Sequence, residues 1–323
     1  MEKNTLLTII IPVYNSFKLM DKCLNSLQSQ TSNDFETIFV DDCSTDDSFQ
    51  LLSEWLKANS TFKYKIIKNN TNSGPGFSRN NGIIHSKSNY LTFIDSDDYV
   101  EYDFVETAIK NIKKYRPDMI FFNYYTTDYI NKKKSKSLLS NHYGELSVNE
   151  ALALSSGMCW GKIFKVKIIK ENQICFPNLM RSEDLAFVKV YISKCKEIFY
   201  LNDAVYYYYV ENSHSIMHSV STMSINNNIE AFKYIQSNIK DNLAVEMIFI
   251  REYLYLIVQI LVLNGSSSKE IKNFISESNK IYKNWYKNPY LKYQPLYLRM
   301  VLSFIKMNLV FPIRLIFKIK KFM

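Results

Sequence analysis

Polar residues form four short clusters in the first hundred positions, and each cluster follows an apolar run. The clusters occupy residues 14–15, 41–46, 72–80 and 95–98, and the last three contain Asp, Asn or Ser repeatedly. Carboxylates that lie close together repel one another, and a bound divalent cation usually compensates their charge. Oxygen ligands of this kind favour Mg²⁺ or Mn²⁺ over Zn²⁺. The clusters therefore predict a cation site suited to the phosphates of a nucleotide diphosphate.

Each cluster has a plainer interpretation when it is taken alone. Residues 41–46 would also cap the helix that follows them, and residues 95–98 would also form a turn before a helix. Arg79 alone would fit any protein surface. The four clusters together favour the cation site, because crowded carboxylates need a counter-charge.

Particular side chains suit the parts of a nucleotide-diphosphate sugar. A cation held by Asp97 and bridging both phosphates would neutralise the charge on a departing diphosphate. Arg79 would add a fork of donors to the same phosphates. The ring of Tyr14 offers a face for the base, and Asp42 can accept a hydrogen bond from a ring N–H of uracil.

The elements that position these residues alternate regularly. Apolar runs at residues 6–13, 35–40, 64–67 and 90–94 predict strands, and residues 18–29, 47–58 and 77–86 between them predict helices. This alternation predicts βαβ units and a mostly parallel sheet, whose ligands bind at the carboxyl ends of the strands.

The rest of the chain gives a coarser prediction. A helix is predicted at residues 102–115, a strand at 119–122, a lysine-rich solvated loop at 132–136, a helix at 183–194 and strands at 198–201 and 205–209. From residue 221 the pattern is helical, with a buried helix at 247–263.

Composition places the chain among packed intracellular proteins. It has 323 residues, of which 47% are hydrophobic and 22% charged, which excludes general disorder. The five cysteines form no CxxC pair and are interpreted as reduced thiols. The short apolar run near the start predicts a strand rather than a signal peptide, and no apolar stretch is long enough to span a membrane. These features predict a cytoplasmic protein.

Positive charge is concentrated near the carboxyl end. The net charge is +9, yet no acidic residue follows Glu277, so the preceding part of the chain is nearly neutral. This distribution argues against nucleic acid as a partner. Residues 296–323 interleave basic with apolar residues around Pro312, which predicts an amphipathic segment on the inner face of an anionic membrane. A core helix with solvated lysines is the alternative.

The four clusters, together with the strands before them, resemble the motifs of family 2 glycosyltransferases. The matching segments are IIIPVYN at 9–15, VDDCSTDDS at 40–48, NSGPGFSRNNGI at 72–83 and FIDSDD at 93–98. The resemblance implies the GT-A fold, an α/β Rossmann-like domain with a mostly parallel sheet flanked by helices and followed by a helical region. We expect the catalytic domain to cover residues 1–220, with 1–98 as the nucleotide-sugar half and 99–220 as the acceptor half. The helical region then covers residues 221–323.

The resemblance also implies a reaction. Such an enzyme is an inverting, metal-dependent transferase that uses Mn²⁺ or Mg²⁺. It moves a sugar from a nucleotide-sugar, by default a UDP-hexose or UDP-N-acetylhexosamine, to a hydroxyl of a lipid-linked or cell-surface glycan. The donor sugar, the acceptor, the linkage and the oligomeric state are left open by the sequence.

In the donor site, the resemblance assigns roles residue by residue. Pro12, Tyr14 and Asp42 frame the nucleotide base, and Asn72 and Arg79 lie along the donor. Cys43 departs from the family pattern, which usually has glycine at that position.

Two acidic motifs carry the chemistry that the resemblance implies. Asp95, Ser96 and Asp97 form the DxD motif, in which Asp95 and Ser96 meet the substrate and Asp97 is the metal ligand. Glu183 and Asp184 form the Glu-Asp pair that opens a helix, in which Glu183 meets the substrate and Asp184 is the general base. Alternatively, Asp184 would have no catalytic role and would only interact favourably with the dipole of the helix that it opens.

The remaining assignments are weaker. Trp160 begins a Trp-x-Lys motif and would stack on a sugar, although a core tryptophan fits nearly as well. Many relatives have an Arg in the loop that here runs from Val210 to Ile216 without one. His214 or His218 would complete the metal shell, although a single histidine is more often structural.

Three other functions compete with a transferase. A dinucleotide-dependent oxidoreductase would have its glycine fingerprint directly after the first strand, but Gly74 and Gly76 come after the third. A sugar nucleotidyltransferase would also use carboxylates and a metal, and it stays the principal alternative although its glycine-rich amino-terminal loop is absent. An inactive binding module would be expected to lose Asp97 or Asp184.

Overall fold

The computed structural model describes residues 5–128, 132–134, 139, 143–209 and 222–321. The chain divides into two compact units. The first unit contains Met1–Val148 and Ser156–Asn212, and the second contains Asn149–Ser155 and Ser213–Met323. The domain boundary predicted at residue 220 stays a prediction.

The amino-terminal part of the first unit has the predicted alternation of strands and helices. Its elements are β1 (Leu7–Val13), α1 (Asp21–Gln28), β2 (Phe35–Asp41), α2 (Ser48–Asn59), β3 (Lys63–Lys68), α3 (Pro75–His85) and β4 (Tyr90–Phe93). Strand β1 pairs in parallel with both β2 and β4, and β2 pairs in parallel with β3. The carboxyl ends of these four strands therefore meet at one edge of the sheet.

The later strands of the first unit extend the same sheet. These elements are β5 (Tyr99–Val100), α4 (Phe104–Tyr115), β6 (Met119–Thr127), β7 (Lys132–Lys134), β8 (Gly144–Leu146), β9 (Lys162–Lys165), α6 (Val166–Glu171), α7 (Glu183–Ile192) and β10 (Ile198–Tyr209). The strand order is β3-β2-β1-β4-β9-β6-β10-β5, with β7 beside β6 and β8 beside β10. Strand β10 is parallel to β6, whereas β9 is antiparallel to β4 and β6. The α/β fold with a sheet flanked by helices is confirmed, and its antiparallel strands lie in the later half.

Two predictions for this half need correction. The lysine-rich segment was predicted to be a solvated loop, but Lys132–Lys134 forms strand β7 and pairs with β6. Lysines are common on such edge strands because their charge discourages pairing with other chains. The two strands predicted at 198–201 and 205–209 are a single strand, β10, whose register against β6 shifts on either side of Ala204.

Close packing of α3 on β1 depends on a glycine. A Cβ atom on Gly82 would lie 2.5 Å from Cγ2 of Ile10, which is too close for any contact without movement. Ile10 is fully buried in the middle of β1, a strand whose residues are nearly all buried. This contact holds the helix that carries Arg79 against the sheet.

The second unit is helical throughout its described residues. Its helices are α5 (Val148–Leu154), α8 (Thr222–Asn238), α9 (Leu243–Ile248), α10 (Leu256–Leu263), α11 (Ser268–Ile281), α12 (Leu296–Lys306) and α13 (Val310–Lys321). Asn242 caps α9, and Ser267 with Glu270 forms a capping box at α11. None of the described helices is long and apolar enough to cross a membrane.

The buried helix predicted at 247–263 is continuous but not regular. A π-helical turn, Phe249–Tyr255, joins α9 to α10. Arg251 within this turn donates hydrogen bonds to the carbonyl oxygens of Ala153, at 3.2 Å, and Ser155, at 3.4 Å. The turn therefore contains a partly buried arginine that is held by backbone carbonyl groups.

The basic tail forms α12 and α13, which bury part of their surface. Helix α13 packs against α10, α11 and α12, and Ile313 and Phe317 are buried there. Pro312 lies in the first turn of α13, where its missing N–H is not needed, so the break in the tail comes just before Val310. The tail therefore contributes to the core of the second unit as well as to its surface.

The five cysteines differ sharply in exposure. Cys23, Cys159 and Cys195 are buried, Cys43 is partly exposed and Cys175 is exposed, and none of these five described residues is in a disulfide. Burial raises the pKa of each of the three buried thiols well above its ordinary value.

Candidate functional site

The loops after β1 and β2 are joined by hydrogen bonds around Asn15. Its side chain accepts from the backbone N–H of Thr45 at 2.8 Å, and its Nδ2 donates to Oγ1 of Thr45 at 2.9 Å. Next to it, the ring of Tyr14 is 44% exposed, which leaves a face open to a base. Pro12, still within β1, is partly exposed. These positions are compatible with the predicted base site, which stays a prediction.

Asp42 is buried and fixes the loop that precedes α3. Its carboxylate accepts from Nδ2 of Asn69 at 2.8 Å, from the N–H of Gly74 at 2.7 Å and from the N–H of Ser73 at 3.2 Å. Asp42 therefore satisfies the hydrogen bonds of these three donors, which gives it a structural role in this loop. Its predicted contact with uracil stays a prediction.

Asn72 borders a cleft of about 500 Å³. The cleft lies between the start of α3 and the segment before α7, and its lining includes Phe77, Phe176, Asn178 and Met180. The side chain of Asn72 is exposed, which is compatible with the predicted position along the donor.

The DxD motif follows β4 and rests on a buried third aspartate that the sequence analysis did not single out. Asp98 accepts from the hydroxyl of Tyr206 at 2.6 Å and from the N–H of Tyr209 at 2.9 Å. Burial and the charges of Asp95 and Asp97 raise the pKa of Asp98 well above its ordinary value. The signal that could have revealed it is the third acidic residue of the Asp-Ser-Asp-Asp segment.

Asp95 and Asp97 provide the oxygen atoms that a hard cation needs. Both are partly exposed, whereas Asp98 is buried beneath them, and Ser96 donates to the hydroxyl oxygen of Ser16 at 3.0 Å. No group of three acidic, histidine or cysteine side chains suited to a metal occurs among the described residues. The donor set fits Mg²⁺ or Mn²⁺ held by Asp97 with further ligands from phosphate and water. His214 and His218 lie outside the described residues, as does the loop from Val210 to Ile216.

Arg79 forms ion pairs in two directions. Its Nη2 lies 2.8 Å from Oδ1 of Asp95, and its Nη1 lies 2.9 Å from Oε1 of Glu183. The side chains of Arg79 and Glu183 are 7% and 8% exposed, so this pair is buried. Three predicted site residues from distant parts of the sequence are thus brought together. The predicted contacts of Arg79 and Glu183 with the donor stay predictions.

Asp184 lies in the first turn of α7, directly after Glu183. Burial and the charge of Glu183 raise the pKa of its carboxyl to about 7, although Arg79 acts in the opposite direction. The N–H of Leu185 donates to its Oδ1 at 2.7 Å. A carboxylate with a pKa near neutrality is what a general base requires.

The backbone is strained at three positions around the site. Asn15, Cys43 and Ser182 have φ angles of 47°, 59° and 60°, in the left-handed region that glycine prefers. The positive φ of Cys43 is a conformation that glycine adopts without strain, which agrees with the glycine that the family resemblance leads us to expect at this position. Ser182 is the residue before α7, so the strain directly precedes the Glu-Asp pair.

Trp160 lies in the core of the first unit. It is 5% exposed, and its ring stacks on Tyr206 at 4.6 Å and on Tyr208 at 5.4 Å between ring centroids. This position favours the core interpretation, so sugar stacking stays an untested prediction. Lys162, two residues later, is also buried, and burial lowers its pKa to about 8.

Known proteins show the same fold and motifs. The family model described as glycosyl transferase family 2 matches residues 8–172. The poly(ribitol-phosphate) beta-glucosyltransferase of Bacillus spizizenii is 34% identical over 241 residues, which is 72% of this chain and 37% of that protein. This chain spans between 30% and 37% of the length of three such relatives, and between 61% and 70% of the length of four others.

Two solved structures resemble the whole chain. TarS 1–349 of S. aureus in complex with UDP-GlcNAc has a TM-score of 0.75 at 20% identity, covering 98% of this chain and 91% of that one. The mannosyltransferase PcManGT from Pyrobaculum calidifontis, in complex with GDP-Man and Mn²⁺, has a TM-score of 0.59 at 13% identity, covering 99% and 87%. At these identities the likeness shows the fold, and it confirms the predicted GT-A architecture.

Proposed function

The chain belongs to glycosyl transferase family 2, and on that premise we propose that it moves a sugar from a UDP-sugar to a hydroxyl of a cell-surface or lipid-linked glycan. The observation that supports this proposal is that Arg79 forms ion pairs both with Asp95 of the DxD motif and with Glu183, the residue before the proposed base Asp184. UDP-hexoses or UDP-N-acetylhexosamines are the proposed donors, because TarS binds UDP-GlcNAc and a relative is named as a glucosyltransferase.

The proposed reaction inverts the anomeric centre. Asp184 removes the proton from the acceptor hydroxyl, whose oxygen attacks the anomeric carbon while the bond to the diphosphate breaks. The proton ends on Asp184 and UDP leaves with the electron pair of the broken bond. A pKa of about 7 leaves Asp184 substantially ionised at neutral pH, yet basic enough to accept the proton.

A divalent cation, Mn²⁺ or Mg²⁺, is proposed to be held by Asp97, with Asp95 beside it. When bound there, it supplies positive charge that offsets the charge of the departing diphosphate. The charges of Asp95 and Asp97 add to the effect of burial in raising the pKa of the neighbouring Asp98. Tyr14, Pro12, Asp42 and Asn72 are proposed to bind the nucleotide end of the donor.

The tail is proposed to bring the enzyme to an anionic membrane surface, at the inner face of the cell membrane. Several large apolar side chains of α12 and α13 remain exposed, including Leu296 at 70% and Phe311 at 78%. Arg299, Lys306 and Lys318 are exposed on the same helices, and residues 296–323 contain no acidic residue. Exposed apolar and cationic side chains on adjoining helices suit a lipid surface that offers both acyl chains and negative charge.

A donor and acceptor screen tests the proposal. The purified chain with Mn²⁺ is offered UDP-glucose, UDP-galactose or UDP-GlcNAc, together with poly(ribitol phosphate) or a lipid-linked glycan, and UDP release and product mass are measured. We expect UDP release that depends on acceptor, and product with the opposite anomeric configuration. Pyrophosphate formed from UTP and a sugar phosphate would instead favour the nucleotidyltransferase alternative.

A further inference from the structure

Arg79 connects three elements of the first unit. It is in α3, whereas Asp95 follows β4 and Glu183 is the first residue of α7. Its two terminal nitrogens donate to these two carboxylates at 2.8 and 2.9 Å. A single planar guanidinium therefore fixes the distance between the first DxD carboxylate and the residue that precedes Asp184.

The same geometry makes the guanidinium of Arg79 poorly accessible to a phosphate. Both nitrogens of the terminal fork already donate to carboxylates, and Nε is buried without a hydrogen-bond partner. The ring of Phe176 lies 5.5 Å from the guanidinium carbon. These two ion pairs use two of the five N–H groups of the guanidinium. Because the Arg79 side chain is only 7% exposed, a phosphate could reach the remaining N–H groups only if the surrounding side chains moved.

We propose that Arg79 and Glu183 are positioning residues that hold Asp184 beside Asp95, and that Arg79 does not bind the phosphates of the donor. This inference rests on the proposed function, in which Asp184 is the base. Neither residue touches the reacting atoms in this assignment. Both act through the placement and the electrostatic surroundings of Asp184.

Packing between α3 and α7 supports this assignment. Gly76 lies one helical turn before Arg79, and a Cβ atom there would be 2.9 Å from Cγ of Glu183 and 3.2 Å from Cβ of Phe176. The side chain of Asn80, also in α3, adds to this packing. Its Nδ2 donates to the carbonyl oxygen of Phe176, and its Oδ1 accepts from the N–H of Phe176, both at 2.9 Å. The start of α7 is thus held against α3 at several points.

The charged groups around Asp184 come from four elements. Glu183 raises its pKa, as Asp95 does to a smaller extent, whereas Arg79 lowers it. Lys162 at the start of β9 is coupled electrostatically to Asp184, and burial lowers its own pKa to about 8. The thiol of Cys159 stays protonated, because burial raises its pKa well above the ordinary value. Removal of the charge on Glu183 should therefore make Asp184 a weaker base that ionises at lower pH.

The first experiment replaces Glu183 by Gln, which keeps the shape and an oxygen that accepts from Arg79. In the wild-type enzyme, kcat/KM should rise with pH through an inflection near 7, because the base acts when it is deprotonated. In Glu183→Gln the inflection should move to lower pH by about 0.5–1 unit, with little change in the KM for donor. An unmoved inflection together with a tenfold rise in a substrate KM would overturn the proposal, because Glu183 would then bind substrate.

The second experiment measures UDP binding by calorimetry with Mn²⁺ present. Lysine at position 79 keeps the charge but cannot bridge two carboxylates. In Arg79→Lys we expect kcat to fall by about a hundredfold, as for a misplaced catalytic group, and the Kd of UDP to stay within about threefold. A tenfold or greater loss of UDP affinity would assign Arg79 to the phosphates and overturn the proposal.

Gly76→Ala is the matched variant, because it displaces Glu183 without removing any charge. It should lower kcat and leave the Kd of UDP unchanged, and thermal melting verifies that each variant is folded. If Asp184→Asn retains full transfer, the proposed function and this inference both fail. If Asp184→Asn is inactive but Glu183→Gln and Gly76→Ala match the wild type, the inference alone fails.

Discussion

Asp95, Glu183 and Asp184 lie around one guanidinium, that of Arg79. Three ionised carboxylates against one cation would leave the cluster with excess negative charge in a largely buried place. Burial, and after it the charge of Glu183, makes Asp184 hold its proton more readily and raises its pKa to about 7. A perturbed carboxyl beside a specific charge partner is a feature of functional sites, although structural ion pairs also produce it.

Replacement of Asp184 by Asn tests its role as the base. We expect transfer to fall by about 10²–10⁴-fold, because the amide cannot accept the proton of the acceptor hydroxyl. The Kd of UDP, measured by calorimetry, should stay nearly unchanged. Asp21→Asn is the matched control, because Asp21 is likewise an acidic residue in the first turn of a helix but is exposed. A similar loss in both variants would mean that Asp184 acts only through its favourable interaction with the dipole of α7.

Replacement of Asp97 by Asn tests the cation site. Transfer should be lost in the variant, because one neutral amide oxygen binds a hard cation more weakly than a carboxylate. EDTA should abolish the activity of the wild type, and Mn²⁺ or Mg²⁺ should restore it. Full activity of the wild type in EDTA would remove the cation from the mechanism. Calorimetric titration of UDP with and without Mn²⁺ gives a second readout that does not depend on turnover.

Among the elements, α3 has the strictest packing requirement, since Gly82 leaves no room for a methyl group above Ile10. Gly82→Ala should lower the free energy of unfolding by about 1–3 kcal/mol, the usual cost of an overpacked core. Thermal melting should show a decrease of several degrees. In an Ile10→Ala background the same substitution should cost less, because the clashing atoms are gone. Equal costs in both backgrounds would contradict this account of the contact.

The βαβ alternation could be predicted because β1, β2 and β4 are largely apolar and the segments between the strands have helical periodicity. The sequence could not predict that Lys132–Lys134 pairs as a strand, since three lysines carry no apolar alternation and the pairing depends on the neighbouring β6. The sequence also predicts two strands where β10 is a single strand, because its pairing with β6 again decides the structure. Its pairing with β6 continues across Ala204 although the local pattern is interrupted.

At the candidate site, motif spacing predicted that polar residues meet at one edge of the sheet, but it could not describe their contacts. Arg79 and Glu183 are 104 positions apart, so no local pattern indicates that they form an ion pair. A motif also cannot distinguish a stacking tryptophan from a buried one, and Trp160 is buried against two tyrosines. Asp98 was overlooked because its partner, Tyr206, comes from a distant strand.

For the whole molecule, the uneven charge predicts binding to anionic vesicles. Each basic residue near such a surface contributes about 1 kcal/mol, and exposed apolar side chains add to this. We expect the full chain to sediment with anionic vesicles at low salt and to be released as salt screens the charges. Phe311→Ser combined with Arg299→Gln and Lys318→Gln should weaken binding and slow transfer to a lipid-linked acceptor but not to a soluble one.

The matched control exchanges Lys269 and Lys272 for Gln, because these exposed lysines lie on α11 outside the tail. Point substitutions are preferable to truncation, since removal of α12 and α13 would also remove buried residues such as Val301 and Ile313. If the full chain does not bind vesicles at low salt, the tail serves only to complete the helical unit.

The unequal burial of the thiols makes the natural protein ready for selective labelling. Electrophiles react with thiolates, so Cys175, which is exposed, should be alkylated first, and Cys43 more slowly. Cys23, Cys159 and Cys195 should resist until the chain unfolds, because they are buried and stay protonated. Cys175 directly precedes Phe176, which borders the cleft beside α3. A fluorophore attached there would signal the arrival of a ligand without any engineered cysteine.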